Sequence, residues 1–324
     1  MKRRKFIRQS AYALGGIGLV GISACGGGNQ QSKSQKENDD HSSAKTSESL
    51  PFKISLAEWS LHRTLFAGEM DNLDFARVTR EEFEIDAIEY VNTFFKDKAK
   101  DTSYLDELNK RADDYGVYQN LIMIDGEGYM ASLDDKERAE AIENHIKWIE
   151  AAKYLGCRTI RVNAYGEGSI EDVKQAAIDG LGRLAEIAKP YDMNILVENH
   201  GGYSSNGAWL ADVMRQINMD NCGTLPDFGN FCIEWSDDGC IEEYDRYKGV
   251  REMMPYAKAV SAKTNDFNEE GDEIHTDYYK MMDIVLEAGY DDYVGVEYEG
   301  MEDDEFTGIR KSKALLEKIQ QSKM

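Results

Sequence analysis

The stretch Ile195-Leu196-Val197-Glu198-Asn199-His200-Gly201-Gly202 decides how this chain is read. Three apolar residues run straight into a carboxylate, an amide and an imidazole, and two glycines then let the backbone turn away. A buried strand that ends in polar, ligand-capable groups is how an α/β enzyme presents a site at a strand's C-terminal end. A strand leading into an ordinary polar loop has the same look, so the reading turns on whether the rest of the chain supplies partners for Glu198.

Working outward, short apolar runs alternate with longer segments of helical period from residue 52 onward. The pattern predicts strands over 52–57, 87–91, 117–124, 159–162, 195–198, 223–227, 259–263 and 294–297. Between and after them it predicts helices over 72–84, 102–115, 133–155, 170–188, 208–217, 244–254, 277–288 and 303–320. Helix stops fall where they should: Gly116, Gly156, Pro190 and Gly289 follow the ends of periodic segments. Eight strand–helix units make an α/β chain with the count of a (β/α)8 TIM barrel, whose usual length of about 250 residues fits a single domain over 51–324. A doubly wound sheet is disfavoured because no glycine-rich phosphate turn follows the first strand.

The strand ends carry the chemistry. Trp59 and His62 follow the first strand, Glu89 lies in the second, and Arg161 and Asn163 end the fourth. Glu198 and His200 end the fifth, Asp227 and Asn230 the sixth, Lys263 the seventh and Glu297 the eighth. In a barrel those ends converge on one mouth. Carboxylates from Glu198, Asp227 and Glu297 crowded there would repel one another, so either their pKa values rise or a cation neutralises them. Oxygen ligands with at most one imidazole suit a divalent metal such as Mn2+ or Mg2+. Three solvated or salt-bridged acids are the plainer alternative.

Val197-Glu198-Asn199-His200, Asp227-Phe228-Gly229-Asn230 and Gly295-Val296-Glu297-Tyr298-Glu299-Gly300 resemble the xylose-isomerase-like TIM barrels known as sugar phosphate isomerases/epimerases. The resemblance extends over about residues 52–320. It implies a divalent metal held by Glu198, Asp227 and Glu297, with the two glutamates flanking the substrate carbon as acid and base. The family's strand-seven histidine is replaced by Ser261, and a histidine often found three residues after the strand-six aspartate is replaced by Asn230. His200 is therefore either the fourth metal ligand or a donor to a substrate hydroxyl. Lys263 is placed to stabilise an enediolate oxygen. Glu89, Arg161, Asn163 and Asn230 are placed to hold substrate hydroxyls, and Trp59 and His62 to touch substrate. Tyr129, Trp209 and Tyr298 can stack on a sugar face or serve as wall and core.

The implied activity is sugar isomerisation or epimerisation by enediolate proton transfer on a ketose or keto-sugar. A lyase acting by β-elimination on oxidised glycosides shares the first step, and a non-catalytic sugar-binding lipoprotein is the reading from a different class. No glycine-rich nest or basic cluster marks a phosphate site.

A net charge of -23 argues against nucleic acid as a partner. With five histidines in all, the chain also lacks the histidine-rich zinc cluster of endonuclease IV, which shares this barrel type. A small carbohydrate is the expected partner, and the oligomeric state stays open. Basic residues 2–8, an uncharged apolar span and Ile22-Ser23-Ala24-Cys25 resemble a lipoprotein signal over 1–24 with Cys25 as the lipidated residue. Arg3-Arg4 followed by Phe6-Ile7-Arg8 resembles a twin-arginine export motif. Residues 25–50 read as a solvated tether. A periplasmic protein, held to the membrane by its lipid anchor only, is the expectation. Of the remaining cysteines, Cys157, Cys222, Cys232 and Cys240, none forms a CxxC pair. An oxidising compartment permits a Cys232–Cys240 bridge, but small buried thiols are the expectation.

Overall fold

The computed structural model describes residues 50–236 and 238–324. The signal segment, Cys25 and nearly all of the tether lie outside the described residues. Strands β1 (Lys53–Ala57), β2 (Ala87–Val91), β3 (Tyr118–Met123), β4 (Thr159–Val162), β5 (Asn194–Glu198), β6 (Cys222–Leu225), β9 (Val260–Thr264) and β10 (Tyr293–Tyr298) form one parallel sheet. Its order is β6-β5-β4-β3-β2-β1-β10-β9. Parallel bridges Thr224–Ala257 and Asp227–Ser261 join the two ends of that order. These strands are the eight expected from the sequence, and the architecture is the expected TIM barrel.

The helices are α1 (His62–Phe66), α2 (Phe75–Phe83), α3 (Thr102–Tyr115), α4 (Asp135–Leu155), α5 (Ile170–Ala188), α6 (Gly207–Ile217), α7 (Arg246–Met253), α8 (Tyr278–Glu287) and α9 (Glu305–Lys323). From α3 onward their starts are set by side-chain caps. Asp134 accepts from the amides of Lys136 and Glu137, and Ser169, Asn206, Asp277 and Asp304 each accept from one amide in the first turn. Such caps satisfy amides that have no partner within the helix. The expected helix 72–84 divides into a tight turn over Asn72–Asp74 and then α2. The expected helix 244–254 begins two residues late because Asp245 caps it, accepting from the Lys248 amide.

Side chains alternate across each barrel strand. Ile195 and Val197 of β5 point outward into the main core beneath the helices, and both are fully buried. Each such aliphatic side chain contributes about 1.5–3 kcal/mol. Leu196 points inward, into a second apolar cluster with Ala57, Val91, Leu121, Met123 and Leu225. Glu198 follows Leu196 on that inward side. An apolar cluster thus crosses the barrel interior, which turns polar at the C-terminal ends of the strands.

One element was not expected. Strands β7 (Cys232–Ser236) and β8 (Gly239–Glu243) make an antiparallel hairpin between β6 and α7, and a disulfide joins Cys232 to Cys240. The expectation of four free thiols is thereby corrected for this pair, while Cys157 and Cys222 are free and buried. Trp235 and Ile241 are exposed, so the hairpin buries no alternating apolar face that a sequence pattern could reveal.

Candidate active site

Glu198, Asp227 and Glu297 stand at the C-terminal ends of β5, β6 and β10, and all three are buried. One carboxylate oxygen from each lies within 4.8 Å of the others. Their spacing is built by the neighbouring residues. Asn199 staples the end of β5 to the segment after β6: its Oδ1 accepts from the Asp227 amide at 2.7 Å, and its Nδ2 donates to the carbonyls of Asp227 and Asn230, both at 3.0 Å. Gly201 (φ 88°) and Gly202 (φ 60°) then turn the chain through conformations that L-residues with a Cβ disfavour. The Ser204 and Ser205 hydroxyls hold this turn by accepting from the amides of His200 and Gly201.

Each carboxylate has a different set of partners. Asp227 Oδ1 accepts from the amides of Gly229 (2.9 Å) and Asn230 (2.8 Å), and its Oδ2 accepts from Ser261 Oγ at 2.6 Å. Ser261, in the strand-seven position where the resemblance led one to look for a histidine, also stands 3.2 Å from Glu297 Oε2. Glu297 Oε1 is paired with Lys263 Nζ at 2.9 Å, and the same ammonium reaches Glu299 at 3.2 Å. Glu198 Oε1 accepts from Asn230 Nδ2 at 2.9 Å. Glu198 Oε2 lies 2.8 Å from Arg161 Nε, but the two are not aligned as a hydrogen bond, so this buried oxygen has no hydrogen-bond partner among the described residues.

These environments drive the carboxyls apart. Burial pushes Glu198 up to about 7 against the pull of Arg161, and pushes Asp227 up to about 7 against that of Lys263. Burial also opposes ionisation of Glu297, but the adjoining Lys263 outweighs it and holds this carboxyl below its ordinary range. One glutamate is thus disposed to carry a proton and the other to be ionised, the division of labour that acid–base pairs require.

The other expected residues fall into distinct places. Arg161 Nη1 donates to Asp125 Oδ1 at 2.7 Å, and Asn163 donates to the same oxygen at 2.7 Å. Asp125, a polar group directly after the third strand to which the sequence alone gives no individual role, therefore anchors both. Glu89 lies inside the barrel rather than on the wall of the mouth. Its Oε1 accepts from Ser55 (2.7 Å) and Asn120 (3.0 Å), and its Oε2 sits against Gly295, where a Cβ would come within 2.7 Å of it. A hydroxyl-gripping role for Glu89 is thus not favoured by its placement.

His200 does not join the three-carboxylate cluster. The Tyr165 hydroxyl donates to the His200 carbonyl at 2.6 Å and lies 2.5 Å from Nδ1. With that phenolic proton spent on the carbonyl, Nδ1–H donates to the Tyr165 oxygen and Nε2 is left as the ring's acceptor. Of the two roles read for His200, placement favours contact with substrate over metal ligation. Trp59 and His62 stack on each other, centroids 4.9 Å apart, and with Phe66 and Phe94 make an apolar flank. Trp209 and Tyr298 are buried and belong to the core, whereas Tyr129 is exposed and meets Tyr165 edge-on.

A cavity of about 650 Å³ opens over the cluster, with Tyr165, His200, Asn230, Lys263 and Glu299 among its lining. The sequence alone gives no individual role to Tyr165 or Glu299. Glu299 was visible as the polar end of the last strand, but nothing in sequence marks Tyr165, whose partner lies in the next repeat.

The comparisons with known proteins agree with this architecture. An inosose isomerase from Bacillus licheniformis is 31% identical over 109 residues, a match spanning 32% of this chain and 39% of that relative's length. The structure is similar to that of a 3-keto-D-glucoside 4-epimerase from E. coli, with a TM-score of 0.61 and 13% identity over 83% of this chain and 100% of the other. It is similar to the IOLI protein solved with a zinc atom, with a TM-score of 0.60 and 19% identity over 83% of this chain and 98% of the other. Both structural likenesses concern the fold. Residues 80–319 match the family model of the xylose isomerase-like TIM barrel, and the chain belongs to that family.

Proposed function

We propose that this protein is a sugar isomerase or epimerase that moves a proton beside a carbonyl with Glu198 and Glu297. The observation that carries this reading is the buried convergence of Glu198, Asp227 and Glu297 within 4.8 Å at three strand ends. The names of the relatives, an inosose isomerase and a keto-glucoside epimerase, support the class.

A divalent cation suits these residues. Glu198 Oε2 is buried with no hydrogen-bond partner among the described residues, and the ligand atoms at hand are carboxylates and the Ser261 hydroxyl. Such an oxygen set favours Mn2+ or Mg2+. Glu198, Asp227 and Glu297 would hold the ion, which when bound polarises a substrate carbonyl. The remaining steps are the work of the chain's own side chains. Glu297, kept ionised by Lys263, accepts the α-proton; the C–H electron pair becomes the new carbon–carbon double bond, and the carbonyl π pair moves onto the carbonyl oxygen. Glu198 delivers a proton to the opposite face to give an epimer, or to the adjacent carbon to give an isomer. Lys263 and Arg161 balance the negative charge of the cluster. A keto-glycoside with a leaving group beside the carbanion would instead undergo β-elimination from the same first step.

Ser261 supports a second reading, sugar binding without chemistry, because its hydroxyl satisfies Asp227 in the strand-seven position. The test is solvent deuterium incorporation into ketoses and keto-glycosides. Incorporation that disappears in Glu198→Gln and Glu297→Gln supports proton transfer. Tight sugar binding with no incorporation by the unaltered protein leaves the binder. We also propose that the protein works outside the cytoplasm as the lipid-anchored form its N-terminal sequence suggests. The Cys232–Cys240 disulfide supports an oxidising compartment.

A further inference from the structure

We infer that Trp235 on the β7–β8 hairpin forms an outer subsite for a second sugar ring, so that the substrate is a keto-sugar still carried in a glycoside rather than a free monosaccharide. This rests on the sugar-directed reading of the site above and adds its substrate class. The hairpin is an insertion between β6 and α7, at the C-terminal end of the barrel where the carboxylates converge. Trp235 lies on the wall of the cavity opening over the carboxylate cluster, and the same wall includes Cys240 and Glu243. Tyr165 and His200 line the same cavity.

The indole is 65% exposed, a large apolar ring held out of the core on a strongly acidic protein. An aromatic face with one wet side is the usual complement to the apolar face of a pyranose. The ring does not hang on a free loop. Trp235 is paired across the hairpin with Cys240, which is disulfide-bonded to Cys232 at the base of the hairpin, next to Phe231 in the core. The covalent staple reduces the freedom the indole would lose on binding. The cavity, at about 650 Å³, falls within the range that takes ligands larger than one small ring.

Charge narrows the choice of ring. Glu243 and Glu299 line the cavity, and its lysine, Lys263, is already engaged by Glu297 and Glu299. A phosphate in this position would meet carboxylates with no free cation among the lining residues, so the outer group is an uncharged sugar.

The experiment pairs one-ring probes, methyl 3-keto-glucosides, with two-ring probes, 3-keto derivatives of maltose, cellobiose and lactose. Binding is followed by calorimetry and deuterium incorporation by mass spectrometry. The unaltered protein should bind at least one two-ring probe more tightly than the one-ring probes. Trp235→Ala should weaken that probe about five- to tenfold and leave one-ring binding within twofold, while Trp235→Phe keeps most of the preference. Trp235 is exposed, so Trp235→Ala should retain the circular dichroism of the parent. The inference is overturned if no two-ring probe is preferred, if no probe binds, or if Trp235→Ala weakens both classes equally. Deuterium incorporation without a Trp235 effect removes the subsite and leaves the proton-transfer reading standing. A Trp235-dependent preference without incorporation keeps the subsite and removes proton transfer.

Discussion

Two adjoining strand ends treat a buried glutamate in opposite ways. Glu297 ends β10 and Glu58 follows β1, the strand paired with it. Both carboxyls are buried, and both have two or more polar neighbours. Glu58 is held by neutral donors: Asn72 Nδ2 donates to Oε1 at 2.5 Å and the Val91 amide to Oε2 at 2.9 Å. Burial wins there and pushes the Glu58 carboxyl up to about 8. Glu297 has an ammonium at 2.9 Å, and its carboxyl is held low. The difference teaches that depth alone does not decide what a buried acid can do. In this pair the hydrogen-bonded ammonium makes Glu297 an ionised base, and neutral donors leave Glu58 an acid that resists ionisation.

The largest effect is expected from removing the acids on the reactive side. Glu198→Gln and Glu297→Gln keep the shape and remove proton transfer, and turnover should fall by about 10²–10⁴-fold, measured as initial rate on whichever keto-sugar the protein converts. The same change at Glu58 should leave turnover within a few-fold.

Next in size is the pH dependence of stability. The folded Glu58 carboxyl titrates near 8 against an ordinary value of 4.5, so its folded form binds the proton more tightly than its unfolded form. Its contribution is fully present below pH 4.5 and is lost as pH rises toward 8. The slope is at most about 1.4 kcal/mol per pH unit over that window. The parent's resistance to urea should fall from pH 5 to pH 8, and Glu58→Gln should flatten that fall. An equal fall in both proteins would show that Glu58 is not its source.

Lys263→Met sharpens the comparison from the other side. It leaves Glu297 buried without its cation and should cost about 3–5 kcal/mol at neutral pH. The acidic limb of the rate profile should move to higher pH, because Glu297 would then hold its proton longer. A smaller loss follows from Asn199→Ala, which frees the ends of β5 and β6 from each other. Stability should fall by about 1–3 kcal/mol for the buried groups left unpaired, with a loss of turnover that added Mn2+ does not restore.

The barrel and its three carboxylates were legible because they share one signal. Glu198, Asp227 and Glu297 each close an apolar run, and the repeated strand–helix spacing says that those runs end on the same side. The hairpin was invisible because Cys232 to Glu243 holds its shape through a disulfide and two exposed strands, with no buried face to impose a period. The roles of Asp125 and Tyr165 are not legible because their partners, Arg161 and His200, lie about a full repeat away and nothing local announces the contact. Glu58 was passed over for the same reason: its elevated pKa depends on Asn72 and Val91, which the fold brings to it. Glu89 was misplaced because its strand position was read correctly but its depth was not. Ser55, Asn120 and Gly295 enclose it below the mouth.

In the proposed function Glu198, Asp227 and Glu297 hold one divalent cation together, and equilibrium dialysis against Mn2+ measures this. The protein should bind one divalent ion per chain, and Glu198→Gln, Asp227→Asn and Glu297→Gln should each weaken that binding by about 10- to 100-fold. Affinity unchanged by all three substitutions, or no stoichiometric binding of Mn2+ or Mg2+ by the unaltered protein, would contradict it.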